Sequence, residues 1–124
     1  MNTEERKRLV LAVDDHPKVL RFVEIDLRLR GFEVITTTSG SEALELVKSA
    51  KPDIILLDML MPGVDGFEVL RRLRVFTQLP VIAFSASPGN YDEAMLLGAN
   101  DFMHKPFDPD DMTGRIKALL RSRD

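Results

Sequence analysis

Asp53-Ile54-Ile55-Leu56-Leu57-Asp58 sets four consecutive apolar residues between two acids, and its reading decides the fold. A strand with one wet face alternates apolar and polar residues. A run apolar at every position belongs to a strand covered on both faces, the situation of a parallel sheet between two layers of helices. Leu9-Val10-Leu11-Ala12-Val13, followed by Asp14-Asp15, and Pro80-Val81-Ile82-Ala83-Phe84 repeat the pattern. Glu33–Thr37 supplies a second strand in chain order, and Asp101–His104 a short fifth one.

Between these runs the apolar spacing becomes helical. Val19, Leu20, Val23 and Leu27 follow Pro17, which suits a first helical position, and Gly31 after Arg28 and Arg30 is a stop. Ser39 and Glu42 have capping-box spacing ahead of Ala43, Leu44 and Val47, with Lys51-Pro52 as the end. After a loop at Met59–Gly63, Phe67, Leu70 and Leu73 point a third helix inward. Asn90–Leu97 predicts a short fourth helix stopped by Gly98. Asp108 as N-cap, Pro109, the acids Asp110 and Asp111, and the stripe Met112, Ile116, Leu119 define the last one. The class is α/β, a (βα)5 chain with a five-stranded parallel sheet, because right-handed crossovers lay each helix on a sheet face.

The 124 residues are of single-domain size, enough to hide about two-thirds of the unfolded surface, and no linker or low-complexity tract divides residues 1–124. A net charge of −3 without a basic run argues against direct nucleic-acid binding. The absence of cysteine excludes disulfides, thiolate metal sites and cysteine nucleophiles, and is compatible with a cytoplasmic location. The polar start Met1–Arg8 runs into only a short apolar stretch, too short for a secretory leader or a membrane span, so no membrane partner is expected.

In an open α/β sheet, ligands gather beyond the carboxyl ends of the strands. Asp14 and Asp15 follow the first strand, Asp58 closes the third, Ser85 closes the fourth and Lys105 the fifth. Crowded carboxylates raise one another's proton affinity unless a cation sits among them. All-oxygen ligands with room for water suit Mg²⁺ better than Zn²⁺ or Ca²⁺. A carboxylate attacking phosphorus gives an acyl phosphate, and Mg²⁺ with Lys105 would neutralise the transferred oxygens. Ser85 would then donate its hydroxyl to one of them, coupling phosphate to loop movement.

Singly, each residue has a plainer role: Asp15 capping the helix at Pro17, Asp58 in a turn, Lys105 on the surface, Ser85 and Phe102 in packing. Jointly they converge. His16 and His104 read as solvent-facing residues too isolated for a metal site, and Arg115, Lys117, Arg121 and Arg123 as a solvated helix face.

Val13-Asp14-Asp15, Leu57-Asp58-Met59-Leu60-Met61-Pro62-Gly63, Phe84-Ser85-Ala86, Gly98-Ala99-Asn100-Asp101-Phe102 and Lys105-Pro106-Phe107, in this order over nearly the whole chain, resemble the receiver domain of two-component response regulators. The resemblance implies a flavodoxin-like, doubly wound sheet of order 2-1-3-4-5. It implies that Asp58 accepts phosphate from a sensor histidine kinase or phosphotransfer protein, with Asp15, Asp58 and the Leu60 carbonyl on Mg²⁺ and Asp14 acting through water. It further implies Ser85 and Lys105 as phosphoryl contacts, Phe102 as a ring that turns inward with Ser85, and a cis Lys105–Pro106 bond. Such a domain is not a turnover enzyme but assists its own phosphorylation and dephosphorylation. Output would pass to a downstream effector such as a DNA-binding domain, or the chain would act alone by docking on a target. A homodimer through the fourth helix, fifth strand and fifth helix would pair Asp101 with Arg115.

Two departures stand out. The segment from Ser85 to Gly98 is shorter than the common family pattern and contains Pro88-Gly89, and Asn100 stands where many relatives have the first acid of a pair. Two other functions compete. A haloacid-dehalogenase-type phosphatase wants an acid where Leu60 stands, and a flavodoxin-like nucleotide or flavin binder wants a Ser/Thr/Gly-rich loop after the first strand, where the acids are.

Overall fold

A computed structural model describes residues 6–123; the outermost ends of the 1–124 span, including the start of the polar Met1–Arg8 segment, lie outside it. The elements follow as β1 Leu9–Val13, α1 Pro17–Leu29, β2 Glu33–Thr37, α2 Gly40–Ala50, β3 Ile54–Asp58, α3 Gly66–Phe76, β4 Val81–Ser85, α4 Tyr91–Leu96, β5 Asp101–His104 and α5 Pro109–Arg123. All five strands are parallel in the order β2-β1-β3-β4-β5, the doubly wound arrangement expected.

Strand periodicity divides the core into two layers. Leu11, Val13, Ile55, Leu57, Val81 and Ala83 pack against α2, α3 and α4 through Ala43, Leu44, Val69, Leu70, Leu73 and Ala94. Their alternates Val10, Ala12, Ile54, Leu56, Ile82 and Phe84 pack against α1 and α5 through Leu20, Val23, Leu27, Met112 and Ile116. Every residue of β3 is buried, which is why it carries no polar alternation. At about 1.5–3 kcal/mol per fully buried large aliphatic side chain, this central strand is a main source of stability.

Local signals mostly form as read, with instructive exceptions. Pro17 opens α1, but its N-cap is His16, without a side-chain cap bond, so Asp15 does not cap this helix. Ser39 Oγ accepts from Glu42 N at 3.1 Å, yet the Glu42 carboxylate accepts from Thr37 Oγ1 instead of closing the box on Ser39. Asp108 Oδ1 accepts from Asp110 N at 2.9 Å, as a cap should. In α5 Leu120 joins Met112 and Ile116 in the core, with Leu119 only partly covered; in α3 Val69 is buried while Phe67 packs at the margin. The fourth helix is short, as expected, and a single 3-10 turn at Pro88–Asn90 precedes it.

Asp65 caps α3 by accepting from Glu68 N at 3.0 Å. Gly66 then lets the helix start directly on the strand end, because a Cβ there would sit 2.2 Å from Asp58 O.

Candidate functional site

Parallel pairing sets the first positions. Val13 of β1 lies opposite Leu57 of β3, so Asp14 and Asp58 leave the sheet side by side. Asp14 N donates to Thr37 O at 3.2 Å, Met59 N to Phe84 O at 2.9 Å and Lys105 N to Ser85 O at 2.9 Å. These bonds carry the ladders one step past the strand ends and anchor the functional side chains to rigid backbone.

Asp14 and Asp58 are 0% and 1% exposed. The Lys105 ammonium lies between them, 2.9 Å from Asp14 Oδ2 and 3.3 Å from Asp58 Oδ2, with the Phe84 ring centroid 5.2 Å away. Leu60 N donates to Asp58 Oδ1 at 3.2 Å, so Leu60 meets the acceptor through its amide. The Lys105–Pro106 bond is cis, as the resemblance implied.

His16 corrects its expected isolation. Its backbone N donates to Asp14 Oδ1 at 2.9 Å, and the same fold-back brings ring Nδ1 3.0 Å from Asp14 Oδ1 and 3.1 Å from Asp15 Oδ1. Asp14, Asp15, His16 and Asp58 thus offer ligand atoms that all lie within 4.8 Å of one another. Sequence spacing gave no warning of this, because the contact depends on how the chain turns between β1 and Pro17.

The electrostatics separate the two buried acids. Burial favours the neutral form of Asp14, but hydrogen bonds from Lys105 and His16 outweigh it and hold its pKa below the usual range. Burial likewise raises Asp58, and the nearby Asp14 charge adds to it, against the Leu60 amide and Lys105; its pKa is pushed up to about 6. The shorter contact of Lys105 with Asp14 agrees with this division. Burial works against the Lys105 charge, yet its bonds to Asp14 and the charges of both acids hold its pKa above the ordinary lysine value.

Three carboxylates therefore crowd a site whose lysine pairs with two of them, Asp14 and Asp58, and Asp14 Oδ2 and Asp15 Oδ1 are buried without a well-aligned hydrogen-bond donor. The donor set fits one further divalent cation held by hard oxygen ligands.

Ser85 and Phe102 lie apart from the acids' contacts. Ser85 is fully buried, and its Oγ accepts from Ser87 N at 3.0 Å and from Asn90 Nδ2 at 2.9 Å. Phe102 is 5% exposed and already inward, edge-on to Tyr91 and His104 at centroid distances of 5.6 and 5.2 Å. Asp101 and Arg115 bond within the chain, Nη1 to Oδ1 at 2.7 Å. A twofold pairing of these residues would have to exchange that bond for one between subunits.

A family model for the response regulator receiver domain matches residues 10–117. This chain belongs to that family. The receiver is 39% identical over 115 residues to the transcriptional regulatory protein KdpE of Mycobacterium tuberculosis, covering 91% of this chain and 51% of that protein. It is 37% identical over 115 residues to the alkaline phosphatase synthesis transcriptional regulatory protein PhoP of Bacillus subtilis, covering 90% and 48%. The chain thus spans about half the length of these curated relatives. Among solved structures, the Francisella response regulator 1452 receiver domain superposes with a TM-score of 0.89 at 31% identity, covering 95% of this chain and all of that one. The chemotaxis protein CheY4 of Vibrio cholerae gives 0.85 at 31%, covering 91% and 98%. Among the described residues, no helix is long and apolar enough to cross a membrane.

Proposed function

We propose that this receiver accepts a phosphoryl group on Asp58 from the phosphohistidine of a sensor histidine kinase or phosphotransfer protein, and that the modification switches its conformation. The observation that carries this reading is the Lys105 ammonium within ion-pair distance of both Asp14 and Asp58 at the carboxyl edge of the sheet. An Asp58 carboxylate oxygen attacks phosphorus, the N–P bond breaks, and the donor ring, already protonated on its other nitrogen, leaves as neutral imidazole. Lys105 balances charge on the transferred oxygens, and the Leu60 amide orients the Asp58 carboxylate. Asp15, Asp58 and the Leu60 carbonyl would hold Mg²⁺, with Asp14 acting through water. When bound, the ion supplies positive charge to the phosphoryl oxygens.

The domain spans 1–124, works in the cytoplasm, and assists its own phosphorylation and dephosphorylation without turning over a separate substrate. Ser85 donates to the phosphoryl group and, with Phe102, passes the change to the α4-β5-α5 face, where Asp101 and Arg115 lie. Two named relatives are transcriptional regulators, which favours output through a DNA-binding effector domain. The likeness to CheY4 supports the alternative of a stand-alone regulator docking on a target protein. Leu60, standing where a dehalogenase-type phosphatase needs an acid, weighs against turnover of phosphomonoesters.

Acetyl phosphate with Mg²⁺ labels the purified protein once, and Asp58→Asn abolishes the label; strong labelling of that variant at the same site would defeat the assignment. Lys105→Ala slows labelling by on the order of a hundredfold.

A further inference from the structure

Ser85 is not waiting free for a phosphoryl group. Its oxygen accepts two hydrogen bonds, both from the segment that leads into α4: Ser87 N at 3.0 Å and Asn90 Nδ2 at 2.9 Å. Asn90 closes the 3-10 turn and occupies the N-cap position of α4, where its side chain makes no cap bond. The side chain is directed back to Ser85 instead. The next residue, Tyr91, sets its ring 5.6 Å from Phe102 at 77°. Asn90 therefore stands between the buried hydroxyl and the aromatic pair that joins α4 to β5.

We propose that Asn90 is a positioning residue, a latch that holds Ser85 toward α4 in the unphosphorylated protein and must release it before Ser85 engages a phosphoryl group on Asp58. This rests on the phosphoacceptor reading above. As a hydrogen-bond acceptor for the Asn90 amide, Ser85 keeps its own proton available. Rotating that hydroxyl toward Asp58 breaks the Asn90 bond or drags the first turn of α4 with it. Either outcome couples phosphate to α4 through the Asn90 side chain, alongside Phe102, which is already buried. The short segment after Ser85 makes this contact, since it closes the turn five residues on.

The chain contains one tyrosine, Tyr91, and no tryptophan, so intrinsic emission reports on this junction directly. Beryllofluoride with Mg²⁺, a phosphoryl mimic, is titrated into the full chain and followed by Tyr91 fluorescence. Asn90→Ala removes one bond that must be broken, so it tightens the mimic roughly fivefold. Asn90→Asp, similar in shape but able only to accept, captures the Ser85 proton and weakens the mimic by roughly the same factor. In a Ser85→Ala background the Asn90→Ala effect disappears. In wild-type protein, the Asn90 side-chain amide signals in NMR shift as the mimic saturates, a readout that needs no variant to fold.

Wild-type binding with unchanged or weaker binding by Asn90→Ala, an effect that persists in Ser85→Ala, or static Asn90 amide signals overturns the latch alone. Wild-type protein that takes no beryllofluoride overturns the phosphoacceptor reading and the latch together.

Discussion

Strand β3 is flanked by an aspartate at each end, and the two are held in opposite ways. Asp53, just before the strand, accepts from Leu9 N at 2.7 Å and from both terminal nitrogens of Arg6 at 3.2 Å. Burial raises its pKa, but the Arg6 and Leu9 bonds win, and it lies below the ordinary value. Asp58, at the far end, shares its lysine with Asp14 and is pushed up to about 6. The residue type is the same at both ends of β3: the difference is whether the neighbours bring only donors or another carboxylate too. The amino-terminal edge of the sheet is saturated, whereas the carboxyl edge is left with excess negative charge that a cation and a phosphoryl group can use.

Arg74 shows how complete that saturation is. Its guanidinium donates to Thr77 O, Leu79 O, Gly98 O and Asn100 Oδ1, all between 2.8 and 3.1 Å. Arg74→Ala strands three carbonyls, so it should cost about 3 kcal/mol in urea unfolding. Labelling of Asp58 by acetyl phosphate should persist wherever the variant is folded. Equal damage to labelling and to stability would break the separation of the two edges.

Metal addition tests the opposite edge. At a Mg²⁺ concentration of about a hundred times Kd, stability should rise by about 2.7 kcal/mol. Asp15→Asn should lose most of that gain, and Asp53→Asn none of it. Equal Mg²⁺ stabilisation of wild type and Asp15→Asn would remove the metal from the site.

Without Mg²⁺, neutralising the two ends of β3 should have opposite signs. The folded pKa of Asp58 lies above its unfolded value, so the folded state holds more protons between about pH 4 and 6. Stability from this group is greatest below that window and is lost as pH rises through 6. Asp58→Asn should therefore stabilise the protein by about 2 kcal/mol at pH 8, with the gain fading toward pH 4. For Asp53 the folded pKa lies below the unfolded one, so its contribution is present at neutral pH and is lost on acidification. Asp53→Asn should destabilise by about 1 kcal/mol at pH 7, the cost shrinking as the pH falls below about 4. Urea titrations across this range decide both; matching signs would void the comparison.

The site was legible where backbone pairing decides position. Asp14, Asp15, Asp58 and Lys105 all lie at the ends of predicted strands, and parallel pairing brings those ends to one edge of the sheet. Uniform burial made β3 and β4 equally plain. What could not be read depends on how a turn folds back. His16 reaches the acids only because its own amide bonds Asp14, and Asn90 reaches Ser85 only through the 3-10 turn. Gly66 had a visible signal in Asp65-Gly66 ahead of a helical pattern. The close approach that demands glycine there is a tertiary fact, with Asp58 O 2.2 Å from where a Cβ would stand.

Asn100 gives the smallest test and the most pointed one. It stands where many relatives have the first acid of a pair, and here its Oδ1 accepts from Val81 N at 2.8 Å and from Arg74 Nη2 at 3.0 Å. Among the described residues Arg74 has no carboxylate partner, and desolvation lowers its pKa. Asn100→Asp keeps both acceptor contacts, makes them charge-assisted and gives Arg74 a counterion. Because position 100 is exposed, the gain should be only about 0.5 kcal/mol, present at low ionic strength and screened by added salt. The added charge also stands beside Asp101, whose carboxylate Arg115 already neutralises, so repulsion should not cancel the gain. Destabilisation, or a gain indifferent to salt, would mean that the amide at 100 is required for a reason other than its oxygen, and that the amino-terminal edge is less fully satisfied than its carbonyl contacts imply.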